Sequence, residues 1–376
     1  MREYDMKKRL LFLIPNLKHG GAEKVLVNLV NNLNPDKYDI TVQTLFNEGV
    51  HRDSLKGHVR YLPGMKYQFR GNSHFLKLFS PEFLYRHFVR GEYDVVISYL
   101  EGPTARIVSG CRAEMTKKVC WIHTEMDSPE VAMIGFRSIL EAQQRYNQFD
   151  RIIGVSQRVC QAINTSAALS RKATVLYNTN ETEHILHKAK REPDCAEFLS
   201  DGFSVCTVGK LIPVKAFDRL LNVHKRLLDE GLKHHIYILG IGEAQSALEQ
   251  QMKRLGIEDS VTLLGFQKNP YQYVSRCDLY VCSSHREGFS TAVTESLIVG
   301  TPVVSTNCSG AKELLGEHDE YGLVVENSDE GIYQGMKRML SDPELLAHYK
   351  KQAKLRGSFF SRTETVRAVE EMLDSL

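Results

Sequence analysis

Short apolar runs alternate with longer amphipathic stretches along the whole chain, and this alternation limits the fold more than any other feature of the sequence. In the first half the runs are Arg9–Pro15, Tyr38–Leu45, Asp94–Tyr99, Lys118–His123, Arg151–Val155 and Ala173–Tyr177. In the second they are Phe203–Val208, His235–Leu239, Val261–Leu264, Leu279–Cys282, Pro302–Ser305 and Leu323–Val325. Most are apolar at consecutive rather than alternate positions, as strands covered on both faces must be. Helical patterns fill the gaps; in Gly21–Leu33, Val25, Leu26, Leu29, Val30 and Leu33 share one face. This alternation predicts an α/β fold of parallel sheets coated by helices. At roughly 150 residues per domain, 376 residues predict two such domains. The break is expected in the polar, proline-bearing stretch 188–200. That gives domains over 1–190 and 200–357 and a last helical segment, 358–376, that no strand follows. Ligands of such sheets bind at the carboxyl ends of strands, and the default site is a cleft between the domains.

No apolar run approaches the roughly 20 residues of a membrane helix. The opening MREYDMKKRLLFLIP has the basic-then-apolar order of a secretory leader, but its apolar part covers only Leu10–Pro15 and no small-residue cleavage site follows. A first buried strand is expected there instead. The eight cysteines, at 111, 120, 160, 195, 206, 277, 282 and 308, show no CxxC spacing, so neither a zinc site nor a disulfide framework is expected. Cys206 and Cys282 lie in apolar runs as small hydrophobes, and a reducing cytosol is the expected setting.

Three stretches carry chemistry. Gly20 and Gly21 separate the first strand from a helix start, where free amides favour an anion. The dinucleotide fingerprint GxGxxG is absent. After the strand FSVCTV comes GKLIPVKAFDRLL. It is not a phosphate-binding Walker loop, because Gly202 lies seven residues before Gly209 and Leu211 stands where Ser or Thr is needed. It leaves Lys210 and Lys215 beside a turn, a cation pair able to neutralise a diphosphate leaving group. The third stretch, SSHREGFSTAVTESLIVGTPVVSTNCSGAKELL, follows the strand DLYVC. Glu287 falls at the strand exit and Glu295 inside the next helix; loop amides at Gly288, Phe289, Ser290 and Thr291 suit phosphates. Singly, each feature also has a plain structural explanation: a tight turn, solvated lysines, or two glutamates spaced by chance.

Together these stretches resemble the retaining glycosyltransferases of family 4 (glycosyltransferase group 1), and the likeness covers nearly the whole chain with its motifs in order. Gly20-Gly21-Ala22-Glu23 looks like the family's glycine loop, GKLIPVKAFDRLL like its G-R-L-x-x-x-K-G-x-D-x-L block, and Glu287 to Glu295 like its E-x7-E motif. SGAKELL, YGLVV and FFSRTETV match later segments. The resemblance implies a GT-B fold: two Rossmann-like parallel-sheet domains facing across a cleft, with the C-terminal helix crossing back to the first. By the same likeness Lys215 contacts the donor diphosphate, Glu295 binds the ribose, Glu287 faces the donor sugar hydroxyls, and His123 lines the pocket near the sugar. This makes His123, Glu287 and Lys215 the catalytic set. Ser156 and Asn178 match polar positions lining the donor side, with Gly20, Gly21, Gly209 and Lys210. Lys210 stands where arginine is common, keeping charge but losing bidentate contact; Ala216 replaces the usual glycine. Gly240 and Gly242 are expected to shape a turn.

The implied reaction moves a hexose or N-acetylhexosamine from a nucleotide diphosphate sugar, with UDP favoured over GDP, to a glycan acceptor held on a lipid. The setting is bacterial surface polysaccharide assembly on the inner face of the cell membrane. No cofactor is expected and, with no DxD motif, no metal. A GT-B sugar-nucleotide epimerase and a catalytically silent sugar-nucleotide binder remain as alternatives. Residues 52–90 carry eight basic residues against Asp53 and Glu82, interleaved with eight aromatics. This suits an anionic membrane surface, or equally a solvated helix with aromatics facing the core. The net charge of +2 hides this asymmetry: residues 1–190 hold 27 basic and 19 acidic side chains, and 191–376 hold 21 and 27. Without a nucleic-acid-binding module, no nucleic-acid partner is expected; the oligomeric state is open.

Overall fold

The computed structural model describes residues 7–18, 20–66, 75–193, 198 and 202–376. Thirteen strands form two sheets, parallel throughout: β1 Lys8–Ile14, β2 Tyr38–Thr44, β3 Val59–Leu62, β4 Val95–Ser98, β5 Lys117–Ile122, β6 Arg151–Gly154 and β7 Thr174–Val175 in one; β8 Ser204–Val208, β9 His235–Leu239, β10 Val261–Gly265, β11 Leu279–Cys282, β12 Val303–Thr306 and β13 Leu323–Val325 in the other. The twelve expected runs each contain a strand. The thirteenth, β3, was hidden in the basic segment: it is a short edge strand with half-exposed side chains, so it lacks an apolar run.

The sheet orders are β3-β2-β1-β4-β5-β6-β7 and β10-β9-β8-β11-β12-β13. Each order reverses direction once, between β1 and β4 and between β8 and β11. At such a switch point the crossovers lead to opposite faces and leave a crevice beyond the strand carboxyl ends. Leu10 to Ile14 are fully buried because β1 has paired neighbours on both sides and helices above and below. In the second sheet, Val205, Ile236, Ile238 and Val281 pack against Leu220, Leu221 and Leu227 of the Phe217–Asp229 helix.

The chain divides into two compact units, Met1–Asn180 with Thr363–Leu376, and Glu181–Arg362. The division corrects the expected boundary at 190. The Thr182–Ala189 helix packs in the second unit, where Ile185 meets Tyr271 and Ile298 and the Lys188 carbonyl accepts from Asn269. Polar composition alone placed the break too late, because one buried face suffices to recruit a short helix. The last helix, Arg362–Asp374, belongs to the first unit: Lys8 Nζ donates to the Leu373 carbonyl at 2.7 Å, Tyr38 Oη to Asp374 at 2.6 Å, and the Asn34 amide to Glu370 at 2.8 Å.

Candidate active site

In the second unit the candidate residues gather at the switch point. Gly209, Lys210 and Lys215 follow β8, and Glu287 to Thr291 follow β11. Two glycines bring the loops close. Gly240 has φ +148°, and a Cβ there would lie 1.8 Å from the Gly209 carbonyl oxygen; at Gly242 it would meet the Leu211 carbonyl at 2.3 Å. These are the turn-shaping roles expected of them. The loop after β11 is then tied to the turn after β8: Ser283 Oγ donates to the Lys215 carbonyl at 2.9 Å, and the His285 amide to the Val214 carbonyl at 2.9 Å.

This stitching places Lys215 Nζ 2.6 Å from Glu287 Oε1, an oxygen that also accepts from Ser284 Oγ at 2.6 Å. The Lys215 side chain is 24% exposed and that of Glu287 12%. Burial, the largest single effect, pulls the Lys215 pKa down, but the Glu287 carboxylate together with Cys282 and Cys308 holds the ammonium above the ordinary lysine value. Lys210 is exposed and makes no ion pair with a described residue. Ser290 caps the Thr291–Val299 helix, accepting from the Val293 amide, so the amides of Thr291 and Ala292 lack acceptors within the helix and the positive end of its dipole faces the loop. Phe289 is buried, and a Cβ on Gly310 would press on its ring and on the Gly288 carbonyl, so the loop after β12 packs directly on the Gly288–Phe289 turn. Glu295, one helical turn further on, is buried and accepts from Tyr271 Oη at 3.2 Å.

The first unit holds the other candidates, again beyond strand carboxyl ends. Gly20 and Gly21 open the Gly21–Val30 helix after β1, with Glu23 folded back over Gly20. His123 follows β5; its Nε2 is buried and has no hydrogen-bond partner among the described residues. Burial depresses its pKa to about 3, so the ring is neutral. Asn178 is likewise buried with Oδ1 unpartnered among the described residues. Ser156 differs: its hydroxyl accepts from the Val159 amide at 3.1 Å and caps the Gln157–Ser166 helix, the turn chemistry of an ordinary helix start.

Several residues escaped the sequence reading. Glu101, at the first switch point after β4, accepts from the His123 amide at 2.9 Å, and burial raises its pKa. Arg219 donates to His285 Nδ1 at 3.0 Å and to Asn327 Oδ1 at 2.9 Å, while its Nε pairs with Asp329. Glu101 lies in no motif and Arg219 at an unspecified position of the GKLIPVKAFDRLL block, so only three-dimensional neighbours mark them out.

Comparison with known proteins agrees with this geometry. Residues 19–184 match the profile described as Glycosyltransferase Family 4, and residues 194–356 that described as Glycosyl transferases group 1. The chain is 30% identical over 369 residues to a Campylobacter jejuni N-acetylgalactosamine-N,N'-diacetylbacillosaminyl-diphospho-undecaprenol 4-alpha-N-acetylgalactosaminyltransferase, covering 96% of this chain and 98% of that one. It is 25% identical to the Staphylococcus aureus capsular polysaccharide biosynthesis glycosyltransferase CapM over 65% of this chain and 67% of CapM. Among solved structures, Anabaena HepE in complex with UDP and glucose superposes with a TM-score of 0.79 at 21% identity, covering 98% of this chain and 99% of that one. Sucrose-phosphate synthase from Thermosynechococcus elongatus gives 0.80 at 15%, with the same coverage. The two Rossmann-like units, the returning C-terminal helix and these likenesses assign the GT-B fold, and the chain belongs to the group 1, family 4 glycosyltransferases.

Proposed function

We propose that this glycosyltransferase takes a hexose or N-acetylhexosamine from a UDP-sugar and adds it, with retention of configuration, to a saccharide carried on a lipid diphosphate. The observation that carries the reading is the Lys215–Glu287 pair beside the start of the Thr291–Val299 helix. A cation and free helix amides suit a diphosphate, and a carboxylate beside them suits sugar hydroxyls. The donor diphosphate takes Lys215, with Lys210 and the Thr291 and Ala292 amides, and leaves Glu287 to accept from the sugar. Glu295 holds the ribose. As the glycosidic bond breaks, the same cations meet the charge that develops on the leaving phosphate. No carboxylate in the second unit's set is assigned as a covalent nucleophile. The acceptor oxygen attacks from the face the diphosphate leaves, and the departing phosphate takes its proton. In the first unit, neutral His123 and buried Asn178 carry the polar groups proposed for the donor there.

The UDP and lipid-acceptor assignments draw on the relatives: HepE was solved with UDP and glucose, and the Campylobacter enzyme is named for an undecaprenyl-diphosphate acceptor. Attachment to the cytoplasmic face of an anionic membrane is part of the same proposal. Among the described residues no helix is long and apolar enough to cross a membrane. Phe75, Phe79, Phe83 and His87 are in ring contact at steps of four residues, the first pair edge to face and the next two stacked, with centroids 5.3, 5.1 and 3.8 Å apart. Phe75, Phe83 and Leu78 are exposed, beside Arg86 and Arg90. Arg60 and Tyr61 in the same segment are committed elsewhere, bonded to Thr41 and to Asn47, and Tyr67, Phe69 and Arg70 lie outside the described residues.

The test is a panel of UDP- and GDP-sugars read by thermal shift, followed by transfer to a lipid-diphosphate saccharide in EDTA. A donor raises the melting point with concentration. Stabilisation by GDP-sugars alone overturns the UDP assignment. Turnover of donor without acceptor favours an epimerase, and activity that only manganese restores overturns metal independence.

A further inference from the structure

Arg219 is 8% exposed in the Phe217–Asp229 helix, and its guanidinium is bonded to two other segments of the second unit. Nε pairs with Asp329 Oδ1 at 2.7 Å, at the start of the Asp329–Ser341 helix. Nη1 lies 2.9 Å from Asn327 Oδ1 and 3.0 Å from His285 Nδ1. A guanidinium can only donate, so both of these atoms accept. Asn327 Nδ2 in turn donates to the His285 carbonyl at 2.9 Å, which closes a ring through Arg219, Asn327 and His285. The His285 amide is already donated to the Val214 carbonyl. This one residue is therefore held by its amide, its carbonyl and its ring.

His285 stands two positions before Glu287, in a stretch with no helix or strand between β11 and the Thr291–Val299 helix. Side-chain ties therefore set the shape of that loop. Glu287 itself is tied to Ser284 Oγ and Lys215 Nζ. In the proposed function a donor draws Lys215 away, and the carboxylate then keeps its aim only if the loop is held elsewhere. Docking of the two helices has other support: Arg226 pairs with Glu330 at 2.6 Å and lies 3.4 Å over the Tyr333 ring. Burying a guanidinium is often no more stabilising than burying an apolar side chain of similar volume. What Arg219 supplies is a rigid fork of donors, one of them aimed at the loop that carries Glu287.

We propose that Arg219, acting through His285, is a positioning residue for the donor sugar, a role that rests on the donor reading above: the clamp holds Glu287 in place once the diphosphate has taken Lys215. Loss of the clamp leaves the nucleotide contacts, which that reading assigns to Lys215, the Thr291 and Ala292 amides and Glu295. It loosens the contact from Glu287 to the sugar hydroxyls, where a displacement of about 1 Å is enough to cost affinity and turnover.

The test measures affinity for UDP, UDP-glucose and UDP-N-acetylglucosamine by calorimetry in the full-length protein and its variants, each checked for folding by melting. The readout is the affinity for the better-bound UDP-sugar relative to that for UDP. Arg219→Met and His285→Leu are expected to lower this ratio about tenfold, the equivalent of one charge-assisted hydrogen bond, with UDP affinity within about twofold of wild type. His285→Asn, whose Oδ1 accepts from Arg219 in place of the ring nitrogen, keeps the ratio. Arg226→Met, which loosens the same helix pair without touching the loop, also keeps it. Asn327→Ala opens the ring at an exposed position and takes the place of Arg219→Met if that variant does not fold. A ratio unchanged in the folded Arg219 or Asn327 variant, unchanged in His285→Leu, or lowered equally by Arg226→Met overturns the clamp alone. A wild-type protein that binds no UDP, or a ratio unchanged by Glu287→Gln, overturns the donor reading and the role of the clamp with it.

Discussion

Lys215 Nζ and Glu287 Oε1 meet at 2.6 Å across 72 positions of sequence, so the cation proposed for the diphosphate and the carboxylate proposed for the sugar neutralise each other. In the proposed function a donor separates them, which couples recognition of its two halves. Lys215→Ala therefore loses twice: it removes the diphosphate cation and leaves a mostly buried carboxylate unpaired. The expected cost is about 1–3 kcal/mol of stability, below the range for fully buried pairs because part of each side chain reaches water, together with a large loss of nucleotide affinity. Glu287→Gln keeps nucleotide affinity and lowers turnover by roughly a hundredfold or more. Calorimetry with UDP beside initial rates separates the two; an equal loss of UDP affinity in both variants removes the division of labour.

Glu295 lies on the same helix but serves a different partner. Tyr271 Oη donates to it from the Tyr271–Val274 helix, which fixes the carboxylate proposed to hold the ribose. Glu295→Ala is expected to weaken UDP binding strongly while leaving binding of inorganic diphosphate intact. Tyr271→Phe, which deletes one neutral hydrogen bond, should weaken UDP binding by about 2- to 10-fold. UDP affinity in Glu295→Ala equal to wild type refutes the ribose role.

The α/β class, twelve of thirteen strands and the second unit's candidate residues could be read in the sequence because each rests on local signals: apolar runs, glycine turns, and charges at strand exits. The Lys215–Glu287 contact could not, since both residues were visible but nothing local says that Ser283 and His285 stitch their loops together. Glu101, Arg219 and Tyr271 were invisible for the same reason. Each acts through a partner more than twenty positions away, and none sits at a motif spacing. The units divide at 180, ten residues before the expected 190, because the helix that precedes the polar stretch buries Ile185 in the second unit.

Ala216 occupies the left-handed region at φ +51°, ψ +43°, fully buried between Lys215 and the Phe217–Asp229 helix. An L-residue costs about 1–2 kcal/mol there. Ala216→Gly relieves that strain, loses one buried methyl and gains about 0.4–1 kcal/mol of unfolded-state entropy. These terms nearly cancel, so stability should change by less than about 1 kcal/mol with UDP affinity retained. Ala216→Val, β-branched at positive φ, should cost about 2 kcal/mol or more. Urea midpoints decide this; a strongly destabilised glycine variant shows that methyl packing, not backbone strain, rules the position.

His224 and His234 form a buried chain whose directions follow when both rings are neutral, with Ser260 Oγ turned to His224 rather than to the Ile257 carbonyl 3.2 Å away. His234 Nδ1 donates to the Leu232 carbonyl, His224 Nδ1 to His234 Nε2, and Ser260 Oγ to His224 Nε2, each at 2.8 Å. The chain requires neutral rings, and burial depresses both pKa values, that of His224 to about 3. In the unfolded chain each histidine titrates near the ordinary value of about 6.5. Between these values the unfolded state binds more protons than the native one, so the contribution of these histidines is full above about pH 6.5 and is lost as pH falls toward 3. For His224 the slope approaches about 1.4 kcal/mol per pH unit at its steepest. His224→Gln removes that titration. Unfolding free energies at pH 7 and 5 should therefore fall further for wild type than for the variant, and parallel losses in the two proteins would show that His224 is not kept neutral by the fold.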